Sequence, residues 1–139
     1  MEIDGRIEKF IGRHHVLTLA TATEDGTPYC CNLFYAYDKA DKAFVFTSGA
    51  DTRHTRMLAC NARTAASIVL ETRVVGKVQG LQITGRTTPA TEGDKTIYIK
   101  RFPYAALAEL NLWRMEADTM KLTDNTLGFG KKLIWQRQE

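Results

Sequence analysis

Short segments with the composition of β-strands recur along the whole chain, with turn residues between them. Each segment is rich in β-branched, aromatic and aliphatic side chains, which are enriched in strands. Seven such segments are predicted: 16–22, 29–37, 43–48, 64–71, 78–88, 112–122 and 131–137. In a chain of 139 residues, so many long and mostly antiparallel strands favour a closed or nearly closed barrel, because closure removes exposed strand edges.

Three further segments have helical patterns. The first carries an i, i+4, i+7, i+8 apolar stripe made of Ile3, Ile7, Phe10 and Ile11. Residues 52–60 predict a short helix with Asp51 or Thr52 as its N-cap. Residues 92–110 predict a helical region that is broken at Pro103. The fold class is therefore mainly β with short α-helices.

The composition is that of one globular domain that spans residues 1–139. Hydrophobic residues make up 44% and charged residues 25% of the chain, and there are no repeats or linkers. No apolar stretch approaches the roughly 20 residues that cross a bilayer, and the start MEIDGRIEKF lacks a signal-peptide core. We therefore expect a cytoplasmic protein without a membrane partner. The three cysteines lack metal-ligand spacing, so no metal is expected.

The segment FVFTSGADTRHTRML (44–58) places basic residues where helix physics disfavours them. The predicted helix opens with Arg53 and His54, although a helix N-terminus already carries about half a positive charge. A bound anion would resolve this conflict, because phosphate is attracted by helix N-termini and matches the guanidinium fork. Hydroxyls of Thr47 and Ser48 at the preceding strand end could donate further hydrogen bonds. The alternative is that the cations only point into solvent.

The same segment resembles the strand-then-helix segment that binds the FMN phosphate in pyridoxamine 5'-phosphate oxidase-like split barrels. Within that superfamily the chain is most similar to the YhbP-like bacterial family. The shared segments are CNLFYAYD (31–38), TRHTRM (52–57), KRFP (100–103) and TDNTLGFGKKLIW (123–135). This resemblance covers nearly the whole chain. It implies a six-stranded antiparallel split β-barrel that forms a homodimer and holds FMN at the subunit interface.

The resemblance also implies site residues and chemistry. Ser48, Arg53 and His54 match the hydroxyl and basic pair that bind phosphate, with Thr47 beside them. Asn32 lies on the predicted strand 29–37, which corresponds to a strand that contacts the flavin ring. The partner subunit would lend aromatic walls, for which the candidates are Trp113 and Trp135. The implied activity is a flavin-dependent oxidoreductase that acts on a small molecule with electrons from NADH or NADPH.

The sequence departs from the oxidase pattern at two positions, and two other functions are compatible with it. The second strand lacks the arginine and lysine that true oxidases carry there, which argues against pyridoxamine phosphate as the substrate. One alternative is a non-catalytic binder or sensor of flavin, haem or another anionic ligand. Another is a single-strand nucleic-acid module that stacks bases on Tyr29, Phe34, Tyr35 and Tyr37. The modest net charge of +3 disfavours it. The residue pattern identifies no catalytic group.

Overall fold

The computed structural model describes residues 2–138 and contains one antiparallel sheet of seven strands. The order across the sheet is β3-β2-β1-β4-β5-β6-β7, and β3 also pairs with β6. This last pairing closes β1 to β6 into a six-stranded split barrel, while β7 extends the sheet beyond β6. The strands are β1 (Val16–Ala22), β2 (Pro28–Asp38), β3 (Ala43–Thr47), β4 (Arg63–Leu70), β5 (Gln79–Pro89), β6 (Leu112–Asp124) and β7 (Lys132–Gln136).

Three α-helices pack on the barrel. Helix α1 (Gly5–Arg13) starts at the N-cap Asp4 and buries the predicted apolar stripe in the barrel core. Helix α2 (Arg53–Cys60) connects β3 to β4, and helix α3 (Glu92–Arg101) connects β5 to β6. A capping box between Thr91 and Asp94 fixes the start of α3.

The predicted elements are confirmed, with bounds that differ by only a few residues. The predicted N-cap Thr52 accepts a hydrogen bond from the backbone N–H of Thr55. The predicted helical region 92–110 is shorter than expected. It continues only as a 3-10 helix, Pro103–Leu107, because the proline ends the α-helical hydrogen bonding. None of the helices within residues 2–138 is long and apolar enough to cross a membrane.

One glycine is required by the barrel geometry. The pairing of β5 with β6 shifts register between Thr84 and Gly85, so that Asp118 is bulged out of the ladder. A Cβ atom built on Gly85 would lie 2.2 Å from the carbonyl oxygen of Glu116. Only glycine therefore allows the two backbones to approach at this bulge.

The strand register brings outward-pointing side chains into two rows that run across the sheet. We call this surface the outer face. The first row contains Asn32, Thr18, Ser67, Gln82, Lys121 and Ile134. The second row contains Cys30, Ala20, Ala65, Thr84, Thr119 and Gln136. Most of these side chains are short, so the outer face is a shallow floor rather than a packed layer.

Candidate functional site

Arg53 stands at the first position of α2 with its hydrogen-bonding groups available. Its side chain is exposed, and its guanidinium lies over the ring of Tyr29, 4.8 Å from the centroid. Such a stack holds the guanidinium by its face and leaves its edge of N–H donors open. Within residues 2–138, the side chain of Arg53 has no hydrogen bond or ion pair. It can therefore donate to an anion without giving up a contact.

A groove of about 680 Å³ lies beside this arginine. Its other lining residues are Thr23, Glu24, Arg56, Met57 and Cys60. The guanidinium of Arg56 donates to the carbonyl of Asp51 at 2.7 Å, so this second cation is fixed to the turn before α2. The groove thus has a basic wall built from one side of α2.

His54 follows Arg53 and is half-buried. Its Nε2 atom lies 3.2 Å from the hydroxyl of Thr52. Burial lowers the pKa of His54, because removing water disfavours the charged imidazolium. At neutral pH the ring therefore acts as a neutral hydrogen-bonding group, and a phosphate beside it would favour its protonation.

The predicted hydroxyls mainly hold the turn between β3 and α2. Ser48 is buried, and its hydroxyl is hydrogen-bonded to that of Thr55. The hydroxyls of Thr52 and Thr55 both donate to the carbonyl of Gly49, at 2.8 and 2.7 Å. These bonds rigidify the turn that presents Arg53 and His54.

The residues before the turn are tied to the segment that leads into β6. The side-chain amide of Asn111 donates to the carbonyl of Ser48 at 2.8 Å, and the hydroxyl of Thr47 donates to the carbonyl of Asn111 at 3.4 Å. Thr47 and Ser48 line a separate cavity of about 390 Å³ with Asn111. Their direct contact with phosphate remains a prediction.

The outer face contains a second groove, of about 530 Å³, which we call the face groove. It runs over β1, β4, β5, β6 and β7, and its floor is formed by small side chains such as Ala20, Ala65 and Ser67. Asn32 lies beside it on β2, where its Oδ1 atom accepts a hydrogen bond from the hydroxyl of Thr18 at 2.8 Å. A flat floor with hydroxyl and amide groups along it suits a planar ligand that carries carbonyl groups.

The two tryptophans lie inside the protein. Trp113 is 8% exposed and Trp135 is 4% exposed, and both belong to the hydrophobic core cluster. Little of either ring is left to contact a ligand, and their part in cofactor binding stays a prediction. Tyr35 is also fully buried, and its hydroxyl donates to the carbonyl of Ile11 at 2.7 Å. It is not available as a stacking platform for bases.

Sequence reasoning missed several residues of these grooves. The sequence does not predict the contact between Tyr29 and Arg53, because these residues meet only when β2 and α2 pack together. Ser67, Gln82 and Lys121 lie on three different strands, and their meeting depends on the sheet register. The composition of these segments predicts strands, but it predicts neither which side chains point outward nor which residues become neighbours across the sheet. No group of three His, Cys, Asp or Glu side chains within 2–138 is placed to hold a metal ion.

The barrel order, the β3-to-α2 turn and the shallow outer face define the class of the protein as a pyridoxamine 5'-phosphate oxidase-like split barrel. A family model described as pyridoxamine 5'-phosphate oxidase matches residues 3–123. The chain belongs to this family, and within it to the UPF0306 proteins. A UPF0306 protein of Photorhabdus laumondii is 38% identical over 136 residues, with 94% of each chain covered. The UPF0306 protein YhbP of Escherichia coli O6:H1 is 36% identical and covers 99% of this chain and 100% of its own.

Solved structures share the fold at low sequence identity. A haem-binding protein from Mycobacterium smegmatis superposes with a TM-score of 0.74 at 18% identity, over 91% of this chain and 55% of that one. An FMN-binding protein from Nostoc punctiforme, described as related to pyridoxamine 5'-phosphate oxidase, has a TM-score of 0.73 at 9% identity. The superposition covers 97% of this chain and 90% of the Nostoc protein. The fold thus occurs in proteins with flavin and with haem ligands.

Proposed function

We propose that this protein binds FMN, with the phosphate at the start of α2 and the flavin ring on the outer face. The observation that carries the proposal is the guanidinium of Arg53 at a helix start, which stacks on Tyr29 with its N–H donors open and lies beside a groove with a second cation. Anions bind at such sites because backbone N–H groups, the helix dipole and the guanidinium all favour negative charge. His54 lies at the same position, and the hydrogen-bonded hydroxyls hold the turn that presents it and Arg53.

The residues present fit a flavin in their donor chemistry. The face groove offers a floor of small side chains for a planar ring, together with hydroxyl and amide groups for its carbonyl and N–H groups. Its volume of about 530 Å³ lies in the range of roughly 300–1,000 Å³ that is usual for small-molecule sites. Asn32 would bind at the β2 side of the ring.

A second copy of the chain is the partner that this site implies. The outer face is open to solvent on one side. Large apolar side chains lie on it and beside its first row: Ile134, Phe34 and Val69 are 59%, 53% and 61% exposed. Covering this face would remove that apolar surface from water and enclose the ring. We therefore propose a homodimer with the flavin between the subunits.

A flavin-dependent oxidoreductase is the activity that we propose for this assembly. When bound, FMN supplies hydride and electron transfer, for which NADH or NADPH and a small-molecule acceptor would be the reactants. The chain itself would hold the phosphate, orient the ring and exclude water from it. A binder or sensor of flavin without catalytic turnover is the second candidate, because binding needs only the phosphate site and the floor of the face groove, and neither of them identifies a catalytic group.

Haem is less well matched by the donor groups. A bound haem iron takes His, Cys, Met or Tyr as an axial ligand. The lining of the face groove contains no His, Cys or Tyr, and its methionine, Met120, is fully buried in the core cluster. This donor set favours a flavin over a haem in the face groove; Cys30, the thiol in the second row of the outer face, lies outside that lining.

Replacing Arg53 with alanine tests the phosphate site. Titration with FMN, followed by flavin fluorescence, should give a Kd at least about tenfold weaker than that of the wild type, equivalent to about 1.4 kcal/mol. Riboflavin, which has no phosphate, should bind the wild type and the variant equally.

Arg73→Ala is the matched control, since Arg73 is exposed and follows β4 at the end of that strand away from α2. It should leave both affinities unchanged. Equal FMN affinity in wild type and Arg53→Ala would contradict the proposed site.

A further inference from the structure

One cation lies in the face groove without a partner. Lys121 is on β6, and the register places it between Gln82 of β5 and Ile134 of β7. Its side chain is half-buried and lines the groove. Across residues 2–138 its ammonium group makes no ion pair and no hydrogen bond with another side chain.

The groove contains nothing to neutralise this charge. Its lining consists of small, aliphatic, hydroxyl and amide side chains, and no Asp or Glu is among them. An ammonium group that loses water when a ligand covers it needs an acceptor on that ligand to replace the lost hydrogen bonds. The surface beside it is flat, because Ser67, Thr84 and Thr119 are short. A planar ligand lying on this floor would meet Lys121 at its edge.

We propose that Lys121 is a specificity-determining residue of the face groove, which selects planar ligands with an electron-rich, carbonyl-bearing edge. This inference rests on the proposed function and assigns the ligand edge that this cation meets. With a flavin in the groove, the ammonium group would lie against the ring's dione edge and would bind the reduced ring more tightly than the oxidised ring. Reduction adds electron density there, and a nearby positive charge tunes flavin electronics in this direction.

The test compares FMN bound to the wild type and to Lys121→Met, which keeps the side-chain length and removes the charge. The midpoint potential of bound FMN should be lower in the variant by about 30 mV, the two-electron equivalent of a tenfold loss in preference for the reduced ring. Lys121→Arg keeps a cation and should stay close to the wild-type potential. Lys9→Met, on the exposed side of α1, is the matched control and should leave the potential unchanged.

The possible outcomes distinguish the role of Lys121 from FMN binding itself. A wild-type protein that binds no FMN would overturn the proposed function and the inference together. A wild type that binds FMN, with an unchanged potential in Lys121→Met, would overturn the inference alone. A lower potential in Lys121→Met together with a wild-type potential in Lys121→Arg would support the inference. A purely structural role of Lys121 would not make the potential depend on the charge of the side chain.

Discussion

The ion-pair cluster around Arg114 holds α3 and the β2–β3 turn against the barrel. Its guanidinium contacts Asp38 at 3.1 Å, Asp41 at 2.7 Å and the carboxylate of Asp94. The side chains of Arg114, Asp38 and Asp94 are only 10%, 13% and 2% exposed. Burial alone lowers the pKa of Arg114, but hydrogen bonds and charge attraction to Asp38 and Asp94 outweigh it and raise the pKa above its usual value.

Replacing Arg114 with methionine would keep most of the buried volume and remove the charge. Asp94 and Asp38 would then be left as buried carboxylates without their cation, which costs about 3–5 kcal/mol for a buried pair. Asp41 is 65% exposed and would add less than about 1 kcal/mol. The expected loss in the free energy of unfolding is therefore about 3–5 kcal/mol.

Urea denaturation followed by tryptophan fluorescence measures this loss. With an m-value of about 2 kcal/mol/M, a loss of 3 kcal/mol lowers the midpoint by about 1.5 M. Asp41→Asn serves as the control and should lower the free energy of unfolding by less than about 1 kcal/mol. A loss below about 1 kcal/mol in Arg114→Met would refute the reasoning, because the cluster would then add nothing beyond an exposed ion pair.

Three further predictions follow from the fold and the site. Gly85→Ala should destabilise the protein by at least about 1–3 kcal/mol in the same assay, since its Cβ would meet the Glu116 carbonyl at 2.2 Å. Gly12→Ala, with open space in α1, should be neutral or stabilising. Light scattering should give a dimer for the wild type and a monomer for Ala65→Arg; a wild-type monomer would contradict the proposed interface. Because the pKa of His54 is lowered on folding, the unfolded state binds more protons, and stability should fall slightly as the pH drops below about 6.5. His54→Gln should flatten that slope, and an unchanged slope would count against this origin.

Most of the secondary structure could be predicted because its signals are local. Segments rich in β-branched, aromatic and aliphatic residues, with turn residues between them, predict all seven strands, and the apolar stripe predicts α1. The sequence predicts a closed or nearly closed barrel, but it does not predict that β3 and β6 are the strands that close it. Its register, in which Phe44 lies opposite Met115, joins residues about seventy positions apart and has no local signal. The same is true of the Arg114 cluster.

The candidate site was predictable only in part, for the same reason. The unusual basic start of α2 is visible in the sequence, since it conflicts with the helix dipole. The sequence did not reveal that Ser48 is buried beneath the turn, or that Trp113 and Trp135 fill the core. Side-chain burial depends on which strand lies opposite, and the face groove is formed by residues from five strands.

The most direct test of the central claim is the absorption spectrum of the freshly purified protein, followed by mass spectrometry of whatever is released on denaturation. We predict the visible bands of an oxidised flavin and release of FMN, or saturable FMN binding by protein that is purified colourless. A haem spectrum, or a protein that binds no FMN on titration, would contradict a phosphate site at the start of α2 and a flavin ring on the outer face.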